Sequence, residues 1–188
     1  MTPTLERVAW PALAFLAGGA LVYKLSVFYR PVIPQLVGAP KVVQAPADEG
    51  LPGRPIRILA SPHIPFIGAP HAAYDSIPPT SGPHVPWTVA PGIYRQQIPE
   101  ELQVHALEHG HVLIQYAPGV AATERRELEG FGRRHSRQVL VAPYGRLESG
   151  VALTAWGRLE RLPHPDRGRI ETFIDRLSGR YVHGWRRR

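Results

Sequence analysis

The chain contains no cysteine, and its one methionine is the initiator Met1. Disulfides, thiolate metal sites, a cysteine nucleophile and thioether ligation of a soft ion are therefore excluded. The redox compartment stays open, because a cysteine-free chain suits either environment. No internal repeat is present, and long apolar runs are scarce, with one near the N-terminus. A clustered basic stripe is also lacking. The formal charge of +7 comes from arginines spread along the chain (Arg54, Arg57, Arg125, Arg126, Arg133, Arg134, Arg137 and Arg186 to Arg188), with few aromatics between them. Nucleic-acid binding would call for a stripe and a recognisable motif. No nucleic-acid partner is expected, and a solvated basic surface, suited to anionic lipid headgroups, is the simpler account.

What the chain has in excess is proline. Of 21 prolines, 15 fall between Pro31 and Pro99, poor material for helices or central strands. The length of 188 residues allows one domain plus an anchor, not two full domains.

Residues 8–29 read VAWPALAFLAGGALVYKLSVFY. The uncharged part, 8–23, falls a little short of the roughly 20 apolar residues a spanning helix needs. Lys24 could snorkel from the end of a span that continues through Leu25, Val27 and Phe28. Trp10, Tyr23 and Tyr29 stand where interfacial aromatics belong. The expectation is a single-pass transmembrane helix in an anchor covering 1–30. A secretory signal cleaved near Gly18-Gly19-Ala20 and a buried core helix are the competing readings. Arg7 on one side against Lys24 and Arg30 on the other leaves orientation poorly set by charge. Either export reading puts the remainder outside the cytoplasm, and the anchor reading holds it at the cell membrane.

Residues 31–54 read as a Pro-rich linker without sustained periodicity, and 55–188 as an extracytoplasmic α+β domain. A short strand is expected at 56–59, then a long Pro-rich loop over 62–99, too long for a passive connector. Pro99 followed by Glu100-Glu101 predicts a helix start, and Gly110 its stop, giving a helix over 99–109. HVLIQY at 111–116 predicts a strand ended by Pro118-Gly119. A charged helix follows over 121–135, with Leu128 and Phe131 three apart. Strands are expected at 138–142 and 151–156, the latter continuing to Leu162 after a bend at Gly157. A last amphipathic helix over 166–178 places Ile170, Phe173, Ile174 and Leu177 on one face before Gly179. The expected fold is a compact α+β layer of mostly antiparallel sheet with about three helices.

The sharpest local signal for chemistry is His105-Ala-Leu-Glu108-His109-Gly110. Residues four apart on a helix lie about 6 Å apart at Cβ, so His105 and His109 can reach one ion. Glu108 could ligate or orient a ligand. Two helical histidines at this spacing also arise by chance or as satisfied packing residues. The Pro-rich segment Tyr74-Asp-Ser-Ile-Pro-Pro-Thr-Ser-Gly-Pro-His84 can present His84 rigidly, with His63 and His71 upstream and His111 beyond the helix. Its bland alternative is an ordinary turn.

YDSIPPTSGPH, Gly92-Ile-Tyr94, VHALEHGHVLIQY and LTAWG (153–157) together resemble the bacterial domain-of-unknown-function 3105 family, from about His63 to the last helix. The matching positions are His63, Pro78, Pro79, Gly82, His84, His105, Glu108, His109, Gly110, Trp156 and Gly157. His71 and His111 are additions of this sequence. Many relatives carry a cysteine just before the Gly-x-Tyr element, where this chain has Val89-Ala90-Pro91, so no disulfide carries over. The resemblance implies an exported or membrane-anchored domain and implies no activity.

A motif that joins His84 on a rigid loop to a His-x-x-x-His helix is better explained by a shared site than by packing. The expected ligands are His84, His105 and His109, with His63 or Glu108 as a fourth. All-nitrogen ligation suits zinc or copper(II). One alternative is a non-catalytic accessory or scaffold subunit of a membrane complex, its histidines tying the loop to the core. Another is a small zinc hydrolase, because His105-x-x-Glu108-His109 spells H-x-x-E-H, with Glu171 available as a distal ligand. A serine hydrolase is weaker: Ser76 and Ser81 lack a nucleophile elbow and suit bonding to loop backbone.

Overall fold

The structure, a computed structural model, describes residues 50–184. The candidate span at 8–29, most of the linker and the basic residues Arg186 to Arg188 lie outside the described residues. Among the described residues no helix is long and apolar enough to cross a membrane.

A six-stranded sheet carries the fold. Its strands are β1 (Arg54–Pro55), β2 (Gly92–Ile93), β3 (Val112–Tyr116), β4 (Val139–Pro143), β5 (Val151–Ala155) and β6 (Arg158–Leu162). Their order across the sheet is β1-β6-β5-β3-β4-β2. The first three neighbouring pairs are antiparallel, while β3/β4 and β4/β2 are parallel. The sheet is thus mixed: most of its pairings are antiparallel, as expected, and a parallel part was not foreseen. The physical reason is the helix between β3 and β4: parallel neighbours need a crossover, and this helix is long enough to make it.

Three helices cover the sheet: α1 (Glu100–Glu108), α2 (Ala122–Arg134) and α3 (Arg167–Leu177). Alternate residues of the central strands point to opposite faces. Val112, Ile114, Val139, Val141 and Leu153 pack with Leu128 and Phe131 of α2 and Ile170, Phe173, Ile174 and Leu177 of α3. Leu113, Leu140 and Ala142 pack instead with Leu102, Ala106 and Leu107 of α1 and with Ile64, Ala69 and Val85 of the long loop. Every residue of β3 is therefore buried, including Gln115. Its amide donates to Gln103 Oε1 of α1 at 2.7 Å, and its carbonyl oxygen accepts from Thr154 Oγ1 at 3.2 Å. This buried chain of polar groups fixes α1 on the sheet.

The chain joins the sheet from Leu51 onward, inside the stretch read as linker: Leu51 is buried in the core, and Arg54–Pro55 pair with β6. The strand expected at 56–59 does not form. Ile56 and Ile58 are buried, but the Leu59 N–H is taken by Ser81 Oγ at 3.0 Å rather than by a neighbouring strand.

The loop over 62–99 is tied down at several points. Ile64 N–H donates to the His84 carbonyl at 2.8 Å, and His84 N–H to the Pro62 carbonyl at 3.2 Å. Gly68 N–H donates to Glu101 Oε1 at 2.7 Å, Tyr74 OH to the Pro83 carbonyl at 2.7 Å, and Gly157 N–H to the Thr80 carbonyl at 3.1 Å. Gly82 sits at φ +127, and a Cβ there would come within 3.0 Å of the Tyr74 ring, so the segment can pass beneath that ring only as glycine. Ser76 and Ser81 bond loop backbone, as their type suggests.

Candidate metal centre

Helix α1 ends in a capping motif written in its sequence. Gly110 N–H donates to the Leu107 carbonyl at 2.9 Å, His111 N–H to the Ala106 carbonyl at 3.1 Å, and Gly110 itself lies at φ +85. That is the Schellman arrangement, with glycine at the left-handed position. It stops the helix immediately after Glu108 and His109 and leaves their side chains at its end beside His105.

The parallel bridge between His63 and His84 brings the start of the loop against its middle. It places His63 beside His84, with ring centroids 5.0 Å apart. Both then face the helix end: His84 to His105 is 4.9 Å, His63 to His105 is 5.7 Å with the rings stacked, and His105 to His109 is 4.7 Å. His63, His84 and His105 each offer a nitrogen within 4.8 Å of the others, an arrangement that could hold a metal ion.

Hydrogen bonds decide which nitrogen each buried ring offers. His84 Nδ1 lies 2.9 Å from the Gly82 carbonyl, and His105 Nδ1 lies 2.6 Å from the Val85 carbonyl. A carbonyl only accepts, so both Nδ1 atoms carry a proton, and Nε2 is the nitrogen that each ring has left to offer. Such a backbone carbonyl behind a ring is the usual partner of a ligating histidine. His84 is fully buried, and its Nε2 lies 3.2 Å from Glu108 Oε2 but off the hydrogen-bonding direction, leaving it without a hydrogen-bond partner. A buried ring nitrogen without a hydrogen-bond partner, beside a histidine cluster, fits a cation.

His109 touches this group through one neighbour: its Nε2 lies 2.8 Å from His105 Nε2. Glu108 stands between rings, its Oε2 3.2 Å from His84 Nε2 and 3.5 Å from His183 Nδ1. Burial works against the Glu108 carboxylate, yet the His84 imidazole beside it, with His183 and His105, holds its pKa below the usual range. His105 is pushed below the ordinary histidine value by burial and by the imidazoles of His84 and His109, against the pull of the Val85 carbonyl and Glu108. His109 is lowered too, by burial and then by His183. Both rings therefore hold neutral, ligand-competent forms near pH 7.

His183 was not among the residues the sequence singled out. It lies far along the chain, beyond α3, and nothing in its spacing marks it. His71 and His111 stay apart from the triad: His71 bonds the Ala72 carbonyl and lies against Tyr74, and His111 leads half-buried into β3. Glu171, the distal ligand in the H-x-x-E-H reading, is engaged elsewhere, its carboxylate bonding Arg134 and His135 at 2.9 Å each.

A mixed α+β sheet with a histidine cluster gathered at a helix C-terminus and an ordered Pro-rich loop defines the class of domain. The chain belongs to the family described as protein of unknown function (DUF3105), whose sequence model matches residues 69–184. His84, His105, Glu108, His109 and His183 fall inside that span, and His63 just before it. No curated protein and no solved structure matches the chain.

Proposed function

We propose that this is a metal-binding domain whose ion is held by the inward nitrogens of His63, His84 and His105, with Glu108 and His109 at its edge. The observation that carries it is the pair of buried rings, His84 and His105, each with Nδ1 committed to a backbone carbonyl and each offering a nitrogen within 4.8 Å of the other and of His63. Nitrogens bound to one tetrahedral ion stand about 3.3 Å apart, given metal–nitrogen distances of about 2.0–2.1 Å. Small side-chain rotations from a mutual spacing within 4.8 Å reach that, and the exposed His63 is free to make them. Zinc or copper(II) suits three imidazoles with no sulfur in the chain. The apolar stretch at 8–29 supports a single-pass tether to the cell membrane, with the domain outside the cytoplasm and room for a membrane-complex partner.

The test is elemental mass spectrometry on the full-length chain purified without a histidine tag, beside His105→Ala and His63→Ala. About one equivalent of zinc or copper in the wild type, lost in His105→Ala, is expected. His63→Ala, an exposed change that leaves the core alone, should weaken affinity by about ten-fold or more. A wild type that takes up neither ion after dialysis against both would overturn the reading and leave a histidine-braced scaffold.

A further inference from the structure

The five imidazoles of the cluster are not equivalent in exposure. His84 is fully buried and His105 nearly so, whereas His63, His109 and His183 are exposed. Four of them form a continuous line from inside to outside: His84 to His105 at 4.9 Å, His105 to His109 at 4.7 Å, and His109 to His183 at 4.7 Å between ring centroids.

The outer end of this line is built into the fold. After α3 the chain turns back across the end of α1. Gly179 N–H donates to the Gly110 carbonyl at 2.8 Å, and the Tyr181 ring stacks on buried Trp156 at 4.7 Å with 12° between planes. Val182 N–H donates to the Gly184 carbonyl at 3.0 Å, and His183 N–H to the Glu108 carbonyl at 3.2 Å. His183 holds φ +49, a conformation uncommon for a residue with a side chain. Its ring is thereby set edge-on to His109, with Nδ1 3.5 Å from Glu108 Oε2.

We infer that His109 and His183 form the port through which the ion enters and leaves the inner triad, so that His183 is a transient metal ligand. This rests on the metal-binding reading above. The incoming divalent cation meets His183 and His109 at the surface, and the Glu108 carboxylate beside both supplies the opposite charge. His109 stays neutral and moves its proton from Nε2 to Nδ1 through solvent, which frees the Nε2 lone pair for the ion. His105 Nε2, 2.8 Å away and already a lone pair, then replaces it as ligand. His109 returns to its Nε2–H tautomer as the ion moves inward, and release runs the same steps in reverse. No oxidation or reduction is involved, and each metal–nitrogen bond broken is matched by one formed.

A port speeds both directions equally and leaves the equilibrium where it was. The experiment follows zinc uptake from a fluorescent chelator, and zinc removal by excess chelator, by stopped flow. It uses the full chain as wild type and as His183→Ala, with Kd by competition and thermal unfolding on each. Both rates are expected to fall by about ten-fold in His183→Ala, the scale on which metal-shell changes register, while Kd stays within about two-fold. Unchanged rates would overturn the port. So would faster release with a weakened Kd, which would make His183 a holding ligand. A wild type that takes up no zinc would remove the inner site and the port together, and is distinguishable from either result.

Discussion

Gly110 joins backbone conformation to the histidine cluster. Its φ of +85 ends α1, and the Tyr181 carbonyl passes so close that a Cβ on Gly110 would lie 2.6 Å from it. Gly110→Ala therefore combines left-handed strain with a clash against backbone that cannot rotate away. We expect a loss of about 1–3 kcal/mol of stability, the usual cost of such a conformation, read by urea unfolding. Because the segment that must move carries His183, zinc exchange in the same variant should slow as well. Gly119 is the control: nothing lies within 4 Å of a Cβ there and its φ is not left-handed, so Gly119→Ala should leave both readouts near wild type.

At the scale of elements, the helices were the most legible part of the sequence. Pro99 with two glutamates, Gly110, and the spacing of Ile170, Phe173, Ile174 and Leu177 mark ends and faces within single elements, where local chemistry decides. Asp166 caps α3 through Arg169 N–H at 3.0 Å. The two-residue strands β1 and β2 carry no periodicity to read, and the parallel pairing of β4 with β3 and β2 is settled by packing of α2 across the sheet. One contact between elements carries a pH dependence. Glu171 of α3 holds Arg134 and His135 at the end of α2, and although burial raises its pKa, those two partners bring it below the ordinary carboxylate value. A depressed folded pKa gives stability that is fully present above the unfolded value and lost as pH falls through the folded one. Glu171→Gln should thus lower stability near neutrality and flatten the loss between the ordinary carboxylate range and lower pH. The effect should be under about 1 kcal/mol, because the pair is partly exposed. Chemical denaturation at several pH values would show it; equal pH slopes in the two proteins would count against it.

At the scale of the whole molecule, the site was legible only where its residues share an element. The four-residue spacing pairs His105 with His109, and the rigid Pro-rich segment makes His84 conspicuous. What brings His84 and His63 onto that helix end is the non-local bridge between Pro62, Ile64 and His84, and what brings His183 is the return of the chain over Gly110. Neither is a feature of local sequence. The same geography has a thermodynamic consequence. The proposed ligands come from the start and the middle of the loop and from α1, so an unfolded chain offers no preformed site, and binding adds directly to folding free energy. Zinc at about 100 times its Kd should stabilise the full chain by about 2.7 kcal/mol, and the unfolding temperature should climb with zinc concentration. His63→Ala should need more zinc for the same rise, because one ligand is missing while the core is intact. His183→Ala should follow the wild-type curve, because a port alters rates and not the balance between bound and free. Scanning calorimetry over a zinc series separates these cases. An unfolding temperature that ignores zinc in the wild type would mean that the buried rings of His84 and His105 serve packing alone.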